Sequence, residues 1–376
     1  MRVFQVCADP GIPPCATRGG AVHFRSLASA LSARGHDVTA FIGLSNGKEP
    51  YPVRLVPLRS AQSLLDAAAE TGRPDFIYER YSIVPSPQPS PRQNGSWEVA
   101  QIGIDAARRL RSPFVLEVNS PLILEAEAHR GLVPSAAVFE GEKRLFREAD
   151  AVVCVSTAVQ RYVAAIRGTS EGVAIIPNGC DPALFEVRSS NRSGSGNLLA
   201  FLGDPKPWHG AESLPGMIAE LTRRGLECRL LVIGTGPGAE RVVQAAASAG
   251  VEELVEVTGP LPQAEAIRRM MQADVGVAPY PLLRDFYFCP LKVIEYMAAG
   301  LPVVTTAQGD LEQIVGEGGL FVEPGDGNAF AKAVATLLMD GQLRRQMGLR
   351  ARRRALSELT WDRTAASLEQ SMAALS

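Results

Sequence analysis

Short apolar runs alternate with helix-forming stretches through the first half of the chain. RVFQVCA (2–8), DVTAFIG (37–43), FIYER (76–80), FVLEVN (114–119), AVVCVS (151–156) and VAIIPNG (173–179) read as buried strands, since short unbroken apolar runs suit strands covered on both faces. AVHFRSLASALSARG (21–35), AAAETG (67–72) and EGEKRLFREA (140–149) read as the helices between them. A second series follows: LLAFLG (198–203), CRLLVIG (228–234), LVEVTG (254–259), VGVAPY (275–280), LPVVTT (301–306) and GLFV (319–322). Between the two series lies VRSSNRSGSGN (187–197), polar and rich in glycine and serine, which is the best linker candidate. Parallel strands need helical crossovers, so the pattern predicts an α/β protein of two doubly wound, Rossmann-like domains. Their expected bounds are 1–187 and 198–359, joined by 188–197. PSPQPSPRQNG (85–95) holds too many prolines for a strand or helix interior and is expected as a surface loop. The chain beyond Phe330 is helical by period nearly to its end. Its arginines, Arg350 and Arg352 to Arg354, read as a solvated or interdomain face rather than a nucleic-acid patch.

Composition narrows the classes. The 376 residues, 46% hydrophobic and 21% charged, describe an ordinary globular chain long enough for two cores. A formal net charge of -2 gives no electrostatic footprint for nucleic acid, so an anionic partner must be met by a local site. No apolar run reaches the length of a transmembrane helix, and Met1 leads directly into a strand; a cytoplasmic protein is the expectation. The Asn94-Gly95-Ser96 sequon is idle in that compartment. Six scattered cysteines without a CxxC pair, with four histidines, argue against a disulfide framework or a zinc site. No metal site is expected.

Ligands of open parallel sheets bind outside the carboxyl ends of the strands, so the loops there carry the candidate chemistry. After the first strand, DPGIPPCATRGGAVHF (9–24) brings Arg18, Gly19 and Gly20 to a helix start, where paired glycines let backbone amides approach an anion. A plain flexible turn is the alternative. FLGDPKPWHGAESL (201–214) places Lys206, Trp208, His209 and Gly210 ahead of a helix, a grouping that suits a diphosphate better than a metal. The alternative is packing by Trp208 beside a solvated Lys206. VIGTGPGAERV (232–242) satisfies the dinucleotide pattern with Gly234, Gly236 and Ala239, and Glu256 stands near the next strand. That fingerprint belongs after a domain's first strand, whereas this one follows the second, so Gly234 is expected to line a nucleotide cleft or make the turn. In VGVAPYPLLRDFYFCPLKVIEYMAAG (275–300), Pro290 suits a first helical turn, and residues 289–292 (Cys289, Pro290, Leu291, Lys292) sit at the positive dipole end. A phosphate fits there. Glu295, one turn further in, is placed to accept from neutral hydroxyls such as a ribose diol, or is simply a first-turn acid favoured by the dipole.

These segments together carry a resemblance. PLKVIEYMAAGLPVV, GDPKPWHG, VIGTGP, IIPNGCDPALF and GGAVHFRSLASALSARGHDV, in order along the chain, resemble the family 4 retaining glycosyltransferases of the GT-B fold. The resemblance implies two Rossmann-like domains flanking an interdomain cleft. It implies a nucleotide sugar held mainly by the C-terminal domain, an acceptor held by the N-terminal one, and a C-terminal helix (about 360–376) packing back on the first domain. Residue by residue, Glu295 matches the ribose-binding second glutamate of the family's E-x7-E motif. Amides of 289–292 would meet the diphosphate or sugar, and Gly20 the β-phosphate. His23, Glu117 and Asn119 would lie on the substrate side of the N-terminal domain. The chain departs from the family at two points. Tyr287 occupies the first glutamate position, with Asp285 two residues off it. Asp204 and His209 replace the arginine and lysine of G-R-x4-K-G, and Lys206 is expected to supply part of the missing charge.

The implied reaction moves a hexose or hexosamine from a nucleoside-diphosphate sugar, UDP favoured over GDP, to a hydroxyl of a small-molecule, natural-product or glycan acceptor. Charge builds on the leaving diphosphate, where Lys206, His209, Gly20 and the 289–292 helix end would meet it. No DxD motif is present to hold a metal, no cofactor is expected, and same-face displacement needs no enzyme nucleophile. Closure across the linker would exclude water. A non-catalytic nucleotide-sugar binder, an NAD-dependent dehydrogenase and an epimerase are the rival readings. A monomer or homodimer is expected.

Overall fold

The computed structural model describes residues 1–43, 51–85, 97–130, 133–185 and 197–375. Residues 188–196 of the expected linker, and 86–95 with the Asn94 sequon, lie outside the described residues. The chain divides into two compact units. One comprises Met1–Ala16, Gly20–Pro177 and Trp361–Ser376, the other Thr17–Gly19 and Asn178–Thr360.

The first unit carries β1 (Arg2–Cys7), β2 (Asp37–Ile42), β3 (Arg54–Pro57), β4 (Phe76–Arg80), β5 (Ile83–Pro85), β6 (Trp97–Val99), β7 (Phe114–Val118), β8 (Ala151–Cys154) and β9 (Val173–Ile175). Seven of these form a parallel sheet in the order β3-β2-β1-β4-β7-β8-β9. The sequence reading missed the short edge strand β3 and the antiparallel β5-β6 pair, which brackets the proline-rich segment. Three or four residues with mixed exposure give too little pattern to see. The second unit carries β10 (Leu198–Leu202), β11 (Arg229–Ile233), β12 (Val255–Val257), β13 (Val275–Ala278), β14 (Val303–Thr306) and β15 (Gly319–Val322), all parallel in the order β12-β11-β10-β13-β14-β15.

Both sheets are doubly wound, so strand order reverses between β1 and β4 in one and between β10 and β13 in the other. The crevice at each reversal is where such sheets bind ligands. Each unit has its own core. In the second, Phe201, Leu230, Val232 and Val277 from the strands meet Ile218, Val334 and Leu337 from helices. In the first, Val3, Phe76, Val115 and Val153 meet Leu27 and Leu31 together with Ala365, Leu368 and Met372 of the C-terminal helix Trp361–Ala373. Burying each such aliphatic side chain contributes about 1.5–3 kcal/mol. Arginines in the helix Gly341–Glu358 have local duties: Arg352 donates to the carbonyls of Ala298 and Phe185, Arg354 to that of Gln313, and Arg350 pairs with Glu317.

Candidate active site

In the second unit, the segments after β10 and β13 flank the crevice, and two features bring them together. Gly210 has φ +67, and a Cβ there would lie 2.0 Å from the Pro279 carbonyl oxygen, so only glycine lets the 203–213 segment close on the chain leaving β13. The helix Leu291–Ala298 is pinned across the same crevice by Tyr296. Its hydroxyl accepts from the Leu202 amide (2.8 Å) at the end of β10 and donates to the Val277 carbonyl (3.3 Å) on β13. Asn178 fixes the approach to this helix: its Nδ2 donates to the Cys289 carbonyl at 2.6 Å and its backbone amide to the Cys289 Sγ at 3.3 Å. Burial pushes the Cys289 thiol to about 12, which leaves it no nucleophilic role.

With the helix so anchored, Lys292 lies one turn before Tyr296 on the same face. Its side chain is buried at 8% exposure, and its Nζ sits 4.0 Å from the centre of the Phe201 ring and 5.9 Å from that of Tyr280. That Nζ has no hydrogen-bond partner among the described residues, and the same is true of the buried Tyr280 hydroxyl. Burial lowers the ammonium to about 7 against the pull of Glu295 and Asp204. Glu295 is half-buried on the next turn, and burial raises its carboxyl to about 7, opposed by a hydrogen bond from Gln263 and by Lys292. The helix begins at Leu291, with Pro290 as the residue before its first turn.

The 206–209 segment departs from expectation. His209, expected to meet the charge building on the leaving diphosphate, does not do so as a cation. Instead burial, then the charges of Lys292 and Lys206, lower its pKa to about 2, with a contact to the Asp204 backbone acting the other way. Its Nδ1 is the acceptor for the Lys206 amide at 3.1 Å, so the neutral ring carries its proton on Nε2. Lys206 itself is exposed. Asp204, at the family's arginine position, accepts the Thr235 amide at 2.9 Å and so braces the turn after β11. Gly234 belongs to that turn, and a Cβ there would lie 2.5 Å from the Gly203 carbonyl oxygen. Its smallness serves this close backbone approach. Glu256 pairs with Arg269, which removes the acid a dinucleotide fingerprint needs on its ribose. Tyr287 is buried, whereas Asp285, its nearest acidic neighbour, is exposed.

The helix Gly19–Ala33 follows β1, with Gly20 its first residue in the first unit, and a Cβ at Gly20 would meet the Ile12 side chain at 3.0 Å. His23 and Glu117, expected on the substrate side, are both buried and bonded to each other, His23 Nε2 to Glu117 Oε1 at 2.5 Å. Arg80 approaches the other carboxylate oxygen at 3.5 Å. Burial works to raise the Glu117 carboxyl, but His23, Arg80 and Tyr78 prevail and hold it at about 2. The pair is an internal strut between the first helix and β7, with Trp361 edge-on to the imidazole at 5.0 Å. Asn119, just past β7, keeps a buried Nδ2 without a hydrogen-bond partner among the described residues.

Comparison with known proteins bears on what this arrangement is for. Residues 18–179 match the family described as "Glycosyl transferase 4-like domain", and residues 196–340 match "Glycosyl transferases group 1". Together the matches span most of the chain. The protein belongs to the family 4 glycosyltransferases, with the GT-B fold. Among relatives of this glycosyltransferase, a D-inositol 3-phosphate glycosyltransferase of Nocardia farcinica is 27% identical over all of this chain and 80% of its own length. A GDP-mannose-dependent alpha-(1-6)-phosphatidylinositol monomannoside mannosyltransferase of Mycolicibacterium smegmatis is 25% identical over 94% of each. Sucrose-phosphate synthase from Thermosynechococcus elongatus shares the fold with a TM-score of 0.77 at 21% identity, covering 100% of this chain and 99% of the other. The Anabaena protein HepE, solved with UDP and glucose, does so at 0.75 and 17%, with full coverage of both. The glycosyltransferase uses a nucleotide sugar. Among the described residues no helix is long and apolar enough to cross a membrane.

Proposed function

We propose that this enzyme is a retaining transferase that moves a hexose or hexosamine from a UDP-sugar to a hydroxyl of a small-molecule, natural-product or glycan acceptor. The observation that carries the donor half is Glu295, a half-buried carboxyl held one turn inside a helix whose N-terminus opens at the β10–β13 reversal. A ribose diol donates to that carboxylate, and the diphosphate takes the free amides of the first helical turn. Lys206 and the Nε2–H of His209 add donors from the other side of the crevice, His209 as a neutral one. Gly20 and Asn119 serve the first unit's share of the substrates. Departure of the sugar from its phosphate oxygen is favoured wherever fixed donors meet the growing negative charge. Protein groups supply that charge stabilisation, so no divalent ion is needed.

Tyr287 leaves the hexose without the carboxylate that the family pattern provides, so its hydroxyl contacts come from other groups. A GDP-mannose donor is the second reading, favoured by the mannosyltransferase among the relatives. A thermal-shift panel of UDP, GDP, ADP and their sugars decides the base, followed by assay of nucleoside diphosphate release with and without candidate acceptors. Acceptor-dependent release is the expected result. Tight binding with no turnover on any acceptor in the panel would favour a non-catalytic binder.

A further inference from the structure

Lys292 is an expensive residue to fold as it stands. Its ammonium is taken out of water, and what it receives in the protein is the face of Phe201 at 4.0 Å and the more distant ring of Tyr280. A cation–π contact returns less than the hydration given up. No carboxylate or carbonyl completes it, for its Nζ has no hydrogen-bond partner among the described residues. Snorkelling to solvent, the usual escape for a lysine stem, is not taken, because the side chain is more than nine-tenths buried. Its position is meanwhile set by Tyr296, which locks this helix to the ends of β10 and β13. A Cβ built on Gly203 would lie 4.0 Å from the Lys292 Cε, so the lysine stem runs over the first residue beyond β10. The loop after β10 is short of buried positive charge: Asp204 stands at the family's arginine position and is bonded to Thr235, His209 at its lysine position is neutral, and the remaining cation, Lys206, is exposed.

We propose that the Lys292 ammonium, delivered from the helix Leu291–Ala298, is the cation that binds the diphosphate of the donor, replacing charge lost from the loop after β10. The inference rests on the nucleotide-sugar reading above and adds to it a residue whose backbone, not side chain, the sequence pattern singles out. Three donors on one buried ammonium match the oxygens of a diphosphate, and the ligand supplies the counter-charge that the free protein lacks. The groups facing this ammonium are Glu295 on its own helix, Asp204 and the neutral His209 on the loop after β10, Tyr280 after β13, and the exposed Lys206. Because burial holds the free ammonium near neutrality, binding an anion restores its proton.

The test is calorimetric titration of the full chain, wild type and Lys292→Met, with whichever of UDP and GDP the wild type binds, and with the matching nucleoside. Lys292→Met should weaken the diphosphate by at least 30-fold and leave the nucleoside within about threefold. Its melting temperature should match or exceed that of the wild type, which separates lost binding from lost folding. Wild-type affinity for the diphosphate should fall roughly tenfold per unit from pH 7 to 9, and Lys292→Arg, charged throughout, should lose that fall. Diphosphate affinity within threefold of wild type in Lys292→Met, or a flat wild-type profile, overturns the assignment. A wild type that binds neither UDP nor GDP overturns the donor reading instead.

Discussion

His209 and Lys292 exchange the roles their residue types advertise. The imidazole, with Nδ1 committed to the Lys206 amide and its pKa lowered to about 2, stays neutral throughout the working range. Its carbon and nitrogen NMR shifts should therefore show no titration between pH 5 and 8, and a midpoint near 6.5 would contradict the burial described. Lys292 carries a stability consequence of definite sign. Its folded pKa of about 7 lies below the ordinary lysine value of 10.5, so between those pH values the unfolded chain holds more protons and the group's penalty shrinks as pH rises. Lys292→Met should then be more stable than wild type in urea, with the advantage largest at or below pH 7, on the order of 1–4 kcal/mol, and smaller toward pH 10. An advantage that stays constant with pH would show the ammonium to be hydrated. Neither behaviour was legible in the sequence. DPKPWH and PLKVIE show charged residues, but which of them lose water depends on Phe201 of β10 and Tyr280 just past β13, which the fold packs against the helix of Lys292 and Tyr296. The bond between Glu117 and His23 was illegible for the same reason: they stand 94 positions apart, and only the packing of the first helix on β7 joins them.

At the scale of elements, the helix Trp361–Ala373 returns to the first unit and completes its core through Ala365, Leu368 and Met372. Met372→Ala should cost about 2–5 kcal/mol by urea denaturation, the usual range for truncating a fully buried side chain; a cost under 1 kcal/mol would mean the helix is not seated there. Its outer face carries Glu369, bonded to Arg34 at 2.7 and 2.8 Å and to His36 at 2.6 Å. The Arg34 hydrogen bonds, assisted by His36 and opposed by burial, hold the Glu369 carboxyl at about 2. A depressed acid of this kind stabilises the fold above its ordinary value of 4.5 and loses that contribution as pH falls through 2. Glu369→Gln should thus lower the urea midpoint at pH 7 and converge on wild type under strong acid. The strands were legible because each long one is buried on both faces. β3, β5 and β6 were not, being short and partly exposed, and antiparallel β5-β6 breaks the βαβ rhythm that located the others.

Over the whole molecule, sequence pattern alone identified two doubly wound sheets, and the reversal points between β1 and β4 and between β10 and β13 gather most residues the loops had nominated. The sugar and the acceptor stayed illegible, since Tyr287 replaces the expected carboxylate with a buried ring and Asn119 offers one unpartnered amide to many possible hydroxyls. If side chains and amides carry the leaving-group charge, transfer should proceed at an unchanged rate in excess EDTA; a loss restored by magnesium or manganese would contradict that. On the proposed function, the second unit binds a nucleoside diphosphate through Glu295. Calorimetric titration of UDP and GDP into wild type and Glu295→Ala tests it most directly. One saturable site is expected in the wild type, weakened in the variant by about 1–3 kcal/mol, the cost of leaving ribose hydroxyls unpaired. Equal affinity in the two proteins, or no binding of either nucleotide to the wild type, would contradict it.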